Sequence, residues 1–414
     1  MRVTGVDAGE RVELAPPEHG RSRALRIIEP SPHRIDPRCD QIERCPGCPL
    51  RPIAPDRAAA HVEALHREAL RRIAGVEAPW TRLPGAAVDG ERAKAVARAL
   101  RGDDGRLVLG MAAGGAAPVR LGECPVQTPR TRALVAAVER DLRAAGVEPW
   151  DPTTRRGALR HVIVQAIGDA ARAILAHVPG ATLPVEAVLA DEPTVGLATD
   201  ALPRRGAGLV SRPRPVRGDG FLRFELDGDH LRAGPRAWVP QAPSTVPALR
   251  RAVVEWLAPE PGDRVVEIGC GIGVLSLPIA RRGATLLGID IEREAVLDAE
   301  HNAATAGLAD ARFRTGEAAH ALGRLLGEGA RFDRAVLHAM RRPFGEAAMS
   351  RLAALGPRTV LYLGPHAPAL AEDLRALTGY RVVRLGLLDQ TPGAVPCLTL
   401  ALLMRAGSPN SPIP

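Results

Sequence analysis

The sequence predicts an α/β protein: its C-terminal part is an open, doubly wound sheet, preceded by an α+β region of mainly antiparallel strands. Three observations carry this. From about residue 246, strand-like apolar runs alternate with amphipathic helices, the pattern of a parallel sheet covered on both faces. Within that region VVEIGCGIGVL joins a hydrophobic strand to a helix through a glycine-rich turn. Between about 90 and 235, short apolar runs are instead separated by Gly/Pro turns.

Residues 1–38 are Pro-rich and strand-like (GERVEL, RALRIIEP). Three cysteines follow, and then a helix capped by Asp56. Val62, Leu65, Ala69, Leu70 and Ile73 form its apolar stripe, and Gly75 stops it. RLVLGM, RHVIVQAI, ARAILAHV and GFLRFEL read as strands of the central region, and 201–220 as a loop or linker. The C-terminal alternation begins with helix VPALRRAVVEWL and strand RVVEIG. It continues through helix LSLPIARR, strand TLLGID, helix EAVLDAEHNAATAG, strand ARFRTG and helix AHALGRLLG. Strand RAVLHA, helix EAAMSRLAAL, strand TVLYLG, helix ALAEDLRAL and a final strand pair complete it. The tail AGSPNSPIP has the composition of a disordered segment. The expected units are therefore 1–38, 39–235, 236–405 and a tail at 406–414.

Composition narrows the class of protein. The 414 residues suffice for two or three domains, and 46% hydrophobic with 25% charged residues is ordinary for a globular chain. No apolar run is long enough to span a bilayer, so no membrane partner is expected. The N-terminus has no apolar signal core, so a cytoplasmic location is expected. A net charge of +8 and a pI near 9.9 favour a polyanionic partner. Lys94 is the single lysine and every other basic residue is Arg, which reads equally as the bias of a GC-rich genome. Aromatic residues, at 3%, leave few rings for stacking on bases.

Two constellations carry chemistry. In the glycine-rich turn, Gly269, Gly271 and Gly273 let the backbone bend and approach a ligand. Glu267 lies in the strand before it, and Asp290, at the end of the next strand, is placed to accept ribose hydroxyls. This E-x-G-x-G-x-G form is similar to that of S-adenosyl-L-methionine (SAM) methyltransferases more than to dinucleotide enzymes. Glu317 follows strand ARFRTG and is placed either to approach the adenine edge or to begin a helix in solvent. The second constellation is Cys39, Cys45 and Cys48 in C-x5-C-x2-C spacing, with Cys124 in LGECPVQTP. Four thiolates suit an iron–sulfur cluster or a structural zinc. Cys270 and Cys397 read as buried fillers.

Together these features resemble the uracil-C5 RNA methyltransferase family, in its [4Fe-4S]-containing branch. The three-cysteine spacing, the SPHRIDPRC lead-in, the C-P-V-Q context of Cys124, and RGALRHVIV match that family's pattern. WVPQAP resembles its F-x-Q-x-N motif, which places Gln241 near SAM. The resemblance covers nearly the whole chain. It implies a class I SAM-methyltransferase domain at 236–405 and a four-cysteine cluster in the central unit, structural or RNA-facing. It also implies a structured ribosomal or transfer RNA as partner, bound by a monomer. Residues 1–38 correspond only to the last part of the family's small RNA-binding β-barrel, the TRAM domain.

The chain departs from the family where chemistry is done. The family adds a cysteine thiolate to uracil C6, transfers methyl to C5, and uses a glutamate to remove the C5 proton. Its strand Tyr-Val-Ser-Cys-Asn-Pro-Ala-Thr-Leu-Ala-Arg-Asp-Leu aligns without a gap to 362–374. Tyr362, Leu370, Ala371, Asp373 and Leu374 coincide, and Pro365 falls on the nucleophile. In DQTPGAVPCL, Asp389 and Pro392 match, and Leu398 falls on the glutamate. The family's Asp-Pro-Pro-Arg turn is here HAMR, so Arg341 matches and His338 replaces the aspartate. No catalytic residue is therefore assigned. His338 and His366 read as general bases or as polar loop residues, and Arg341 as a ligand of phosphate or of a carboxylate. RPRPVR at 212–217 reads as an RNA contact or a solvated loop. Cys397, one position from the glutamate slot, is a weak alternative nucleophile, since strand neighbours point to opposite faces. Three functions remain open: an RNA methyltransferase that does not need the Cys/Glu pair, a pseudoenzyme binding RNA or SAM, and a protein whose retained function is its metal centre.

Overall fold

A computed structural model describes residues 2–4, 6–14, 21–113, 116–203, 209–394 and 397–407. The expected disordered tail, apart from Ala406 and Gly407, lies outside these residues. Near the N-terminus β1 (Arg2–Thr4), β2 (Arg11–Leu14) and β3 (Arg21–Glu29) form a three-stranded sheet in the order β1-β3-β2. Its connecting turn is held by ion pairs from Glu10 to Arg34 and from Asp7 to Arg57.

Helix α1 (Pro55–Ala74) and strand β4 (Trp80–Arg82) follow. The central unit contains β5 (Lys94–Arg101), β6 (Leu107–Ala113), β7 (Ala116–Arg120), α2 (Pro129–Ala144), β8 (Leu159–Ile167), β9 (Ala170–His177), β10 (Gly196–Ala201) and β11 (Arg214–Arg217). These strands form a seven-stranded sheet, β11-β10-β9-β8-β5-β6-β7. Every pair is antiparallel except β9 with β10. Helix α2 has no counterpart in the sequence reading. It begins at Pro129, capped by the Thr128 hydroxyl, and buries Leu134, Val135, Val138 and Leu142 against the sheet.

A hairpin of β12 (Leu222–Leu226) and β13 (Asp229–Ala233) leads into α3 (Val246–Leu257). The remaining elements are β14 (Arg264–Ile268), α4 (Ser276–Ala280), β15 (Thr285–Asp290), α5 (Arg293–Thr305), β16 (Ala311–Thr315), α6 (Ala318–Gly327) and β17 (Arg334–His338). They end with α7 (Glu346–Leu355), β18 (Thr359–Gly364), α8 (Ala367–Ala376), β19 (Tyr380–Leu388) and β20 (Leu398–Arg405). The sheet order is β16-β15-β14-β17-β18-β20-β19-β4. It is parallel from β16 to β18, and β20 runs antiparallel to both neighbours. The chain reverses direction across the sheet between β14 and β17, where open α/β sheets bind ligands.

Two segments pack differently from the expected units. The sequence expectation puts 55–82 with the central region, but β4 pairs with β19 and Leu70 of α1 joins the core under α8 and β18. The hairpin 222–233, expected within 39–235, buries Leu222, Phe224 and Leu231 in the core of the C-terminal sheet. Both attachments are long-range pairings, which local periodicity does not encode.

Arg172, 2% exposed on β9, locks the central sheet to that hairpin. Its guanidinium donates to Gln165 Oε1 (2.7 Å) and to the carbonyls of Gly220 (3.1 Å), Ala233 (2.7 Å) and Gly234 (2.8 Å). Asp298 of α5 accepts from Gly234 N (2.6 Å) and Arg232 Nε (2.9 Å) on the hairpin's other side. Arg172→Ala leaves these buried carbonyls without donors at about 1–3 kcal/mol each, so the loss should be on the order of 3–5 kcal/mol, read as a lower urea midpoint. Arg172→Lys should recover only part of it, since one ammonium cannot span all three carbonyls.

Candidate cofactor site and cysteine cluster

The glycine-rich turn leaves β14 at the centre of the sheet. Gly269 adopts φ +81°, and a Cβ there would sit 2.4 Å from the His338 carbonyl oxygen, so this position tolerates only glycine. Gly271, at φ +53°, has nothing within 4 Å of where a Cβ would be, so its backbone faces open space. The turn is fixed from below by Gly269 N donating to the Ile289 carbonyl (2.7 Å). Asn302 Nδ2 holds the Ile272 carbonyl (2.9 Å), and Gly273 packs on Ala299.

Glu267 is fully buried beneath the turn. Oε2 accepts from Ser276 Oγ (2.5 Å), and Oε1 has no hydrogen-bond partner among the described residues. Burial pushes this carboxyl up to about 8, with the Ser276 hydrogen bond opposing and the Asp290 charge adding. Asp290 spends one contact of each oxygen on backbone: Oδ2 accepts from Gly271 N and Oδ1 from Glu292 N, both at 2.8 Å. Next to it Ile291 is 73% exposed, an apolar side chain standing at the mouth of the site. Sequence reasoning passed over Ile291, because its signal is exposure and not residue type. Glu317 caps α6, accepting from Ala319 N (3.0 Å) and His320 N (2.9 Å), and these backbone bonds lower its carboxyl pKa. Gln241 is exposed, and its carbonyl accepts from Ala93 N (2.7 Å), tying its loop to the start of the central sheet. Three residues earlier, Trp238 meets the His338 ring edge-on, centroids 6.0 Å apart. Burial pushes the His338 imidazole down to about 4, so it is neutral at working pH.

The resemblance's two catalytic positions flank the end of one strand pair. β18 and β20 pair in the register Gly364↔Thr399, and the next positions along it are Pro365 and Leu398. Leu398 is 3% exposed in the core. Cys397 turns the other way: its Sγ donates to the Leu388 carbonyl (3.1 Å) among Leu50, Ile53, Ala58 and Val62. Burial raises that thiol well above its usual range, so it is a packed filler and not a nucleophile. Cys270 is likewise a buried thiol. His366 is the N-cap of α8, its Nδ1 accepting from Ala369 N (3.4 Å).

Tight turns shape the cysteine loop: Ile42 N donates to the Cys39 carbonyl, Cys45 N to Gln41, and Arg51 N to Cys48. The Gln41 amide clamps both backbone groups of Arg120 (2.8 and 3.1 Å), which brings the following turn and its Cys124 to the loop. Burial raises the Cys45 thiol, and neighbouring Cys124 and Cys39 add to the effect. Burial pushes Cys48 up to about 11, with Cys124 and Cys45 adding and Arg92 opposing. Cys45 therefore lies within electrostatic reach of the other three thiols, and Cys48 of Cys45 and Cys124. Beside them, Arg92 Nε is buried with no hydrogen-bond partner, as is Gln127 Oε1. No three His, Cys, Asp or Glu side chains among the described residues are drawn together as the ligand set of a single metal ion. The orphaned donor and the four-thiol grouping nevertheless fit an anionic, sulfur-held group. The orphaned Glu267 oxygen and the open Gly271 backbone likewise fit a cationic amino-acid ligand such as SAM.

Comparison with known proteins agrees with this geometry. Residues 259–363 match the family model described as a methyltransferase domain. An uncharacterized RNA methyltransferase of Gloeobacter violaceus is 29% identical, over 92% of this chain and 86% of its own. The 23S rRNA (uracil(1939)-C(5))-methyltransferase RlmD of Alkalilimnicola ehrlichii is 28% identical, over 97% of this chain and 91% of its own. The Pyrococcus abyssi tRNA (uracil-54, C5)-methyltransferase, solved with S-adenosyl-L-homocysteine, superposes with a TM-score of 0.75 at 20% identity, covering 97% of this chain and 95% of that one. The C-terminal sheet is thus an α/β class I SAM-methyltransferase fold. Along nearly its whole length the sequence is thus similar to RNA methyltransferases, a uracil-C5 enzyme among them, and the fold is that of a uracil-C5 tRNA methyltransferase.

Proposed function

We propose that this protein is a SAM-dependent RNA methyltransferase that no longer makes 5-methyluridine by the covalent route, and transfers methyl to an acceptor with its own lone pair. The observation that carries this is the β18–β20 pairing, whose last pair, Gly364↔Thr399, is flanked by Pro365 and Leu398. On the alignment, these two apolar residues take the family's nucleophile and base positions. The agreement of two independent substitutions in space supports the alignment that identified them. Without a thiolate at C6, uracil C5 is too poor a nucleophile to accept methyl. A base nitrogen or a ribose oxygen needs only to be held in line with the donor.

SAM supplies an electrophilic methyl group on its sulfonium. Glu267, Gly269, Gly271, Gly273, Asp290 and Gln241 form the proposed site, with Glu317 setting the helix start beyond it. Glu267 Oε1 would accept from the amino-acid end of the donor, Asp290 would use its remaining lone pairs on the ribose, and Ile291 would cover the adenine face. RNA is the proposed partner, by relation to the enzymes above and by the net charge of +8. We further infer that Cys39, Cys45, Cys48 and Cys124 hold a [4Fe-4S] cluster, supported by their grouping and by the unpaired Arg92 donor beside them. A second reading, a binder of RNA and SAM without turnover, is favoured by the same apolar pair, with His338 nearby held neutral by burial.

Two measurements test this. With labelled SAM and total RNA, methyl should enter RNA but not uracil C5, and a 5-fluorouracil-containing transcript should form no covalent adduct. Gly271→Arg should abolish transfer. An adduct, or labelled 5-methyluridine, would overturn the reading; SAM binding without transfer selects the non-catalytic one. The second measurement concerns the Glu267 proton. The carboxyl is largely protonated at pH 7 in the free protein, and a cation at Oε1 lowers its pKa, so binding releases a proton. SAM affinity should rise between about pH 6 and 8 as Glu267 ionises, and fall above about pH 8 as the donor's own ammonium deprotonates. The calorimetric enthalpy should vary with buffer ionisation enthalpy, a dependence that Glu267→Gln removes.

A further inference from the structure

Residues 88–92 thread between the two halves of the cysteine set. On one side, Arg51, three residues after Cys48, donates to the Val88 carbonyl (3.4 Å) and to Asp89 Oδ1 (2.5 Å). On the other, Gly90 N donates to the Pro125 carbonyl (3.0 Å), and Glu91 N and Arg92 N both donate to that of Val126 (3.0 and 2.9 Å). Thr128 N returns a bond to the Arg92 carbonyl (3.0 Å). Arg92 is therefore laced to the segment that follows Cys124 and lies on the side where Cys45 and Cys48 approach. Its charge acts on both of those thiols. Its Nε–H is buried without an acceptor. Elsewhere buried guanidinium groups are mostly met by oxygen: Arg172 by carbonyls, Arg334 by Asp263 and the Leu257 carbonyl, and Arg250 by Asp229 and the Val274 carbonyl with only Nη2 bare. An arginine nitrogen left bare beside four thiols lacks an acceptor that protein atoms do not provide.

We propose that Arg92 is the counter-cation and hydrogen-bond donor of the group the four cysteines hold, its Nε–H donating to a cluster sulfur. This rests on the iron–sulfur reading above. The physical consequence is on charge: a cation and a donor at the sulfurs stabilise the reduced, more negative state of the cluster and so raise its reduction potential. Arg92 is thus a positioning and tuning residue, not a ligand.

The test uses the full chain, purified and reconstituted without oxygen. A potentiometric titration followed by absorbance and electron paramagnetic resonance compares Arg92→Met and Arg92→Lys with the parent. Arg92→Met should shift the reduction equilibrium at least tenfold towards the oxidised form, about 59 mV for a one-electron couple. Arg92→Lys, which keeps the charge but loses the planar Nε–H, should fall between. Pulsed electron paramagnetic resonance on parent protein carrying 15N-arginine should detect a nitrogen coupled to the cluster. Loss of that coupling in equally labelled Arg92→Lys assigns it to Arg92 rather than to Arg51, which also acts on Cys48, even if Arg92→Met does not fold. Brown, iron-containing protein with an unchanged potential in both variants, or with no 15N coupling, overturns this inference alone. Colourless protein free of iron and sulfide overturns the cluster reading and this inference with it.

Discussion

The cleft at the end of the C-terminal sheet depends on one buried carboxylate. Asp373, on α8, accepts the Tyr362 hydroxyl and the backbone N–H groups of Phe344 (2.7 Å) and Gly345 (2.8 Å). Three chain segments thereby meet at one side chain: the last turns of β18, the loop from β17 into α7, and the helix after the turn. Burial raises the Asp373 carboxyl and the Tyr362 hydroxyl alike, so the pair is held by hydrogen bonds and not by exposed charge. Tyr362 and Asp373 are among the residues that coincide with the uracil-C5 pattern, whereas Pro365 between them does not. The matching residues shape the strand end; under the proposed reading, the one that does not match stands at the position that would react. Scaffold and chemistry are separable because a hydrogen bond network of this kind makes no demand on the residue at 365.

The C-terminal alternation was legible to within a few residues because its strands are buried on both faces and read as continuous apolar runs. The resulting order places β14 and β17 side by side at the switch point, as the alternation required. The central unit was less legible. Helix α2 has Arg and Ala interspersed in its apolar stripe, and its start is written in Thr128 and Pro129, a turn-like pair when read alone. The attachments of 55–82 and 222–233 were invisible, since both depend on partners far along the chain. At the site, the glycines and Glu267 were readable from motif and spacing. The capping role of Glu317 left its two expectations undivided in sequence, and the geometry supplies its backbone partners. Ile291 and Arg92 carry no motif: one is known by exposure, the other by an absent acceptor.

Absent acceptors and donors are informative because they are expensive. A buried polar atom without a partner costs about 1–3 kcal/mol, and this fold otherwise supplies partners generously, with arginines reaching across elements to carbonyls. Among the described residues, the buried side-chain atoms left bare are Arg92 Nε, Gln127 Oε1, Arg250 Nη2 and Glu267 Oε1. Arg250 already pairs with Asp229. Arg92 and Glu267 sit instead at the two places that the sequence marked for ligands. A cation donor lies beside thiols, and beneath the glycine turn a bare carboxyl oxygen that a bound cation would ionise, each suited to a group of opposite sign.

The environment on the donor side also limits the acceptor. The ring at the end of β17 is a neutral imidazole packed on Trp238, a proline follows the end of β18, and β20 begins with a leucine. None of these bears a charge at neutral pH, and none takes up a proton readily. An acceptor that must be ionised before attack gains nothing from such surroundings, because low polarity raises the cost of its anion. An acceptor whose lone pair is already available in the neutral form has no such cost, and the same surroundings favour it by excluding water from the reacting atoms. On the proposed reading, apolar side chains in the places of thiol and carboxylate would therefore do more than remove one mechanism: they would change which atoms of an acceptor are reactive there.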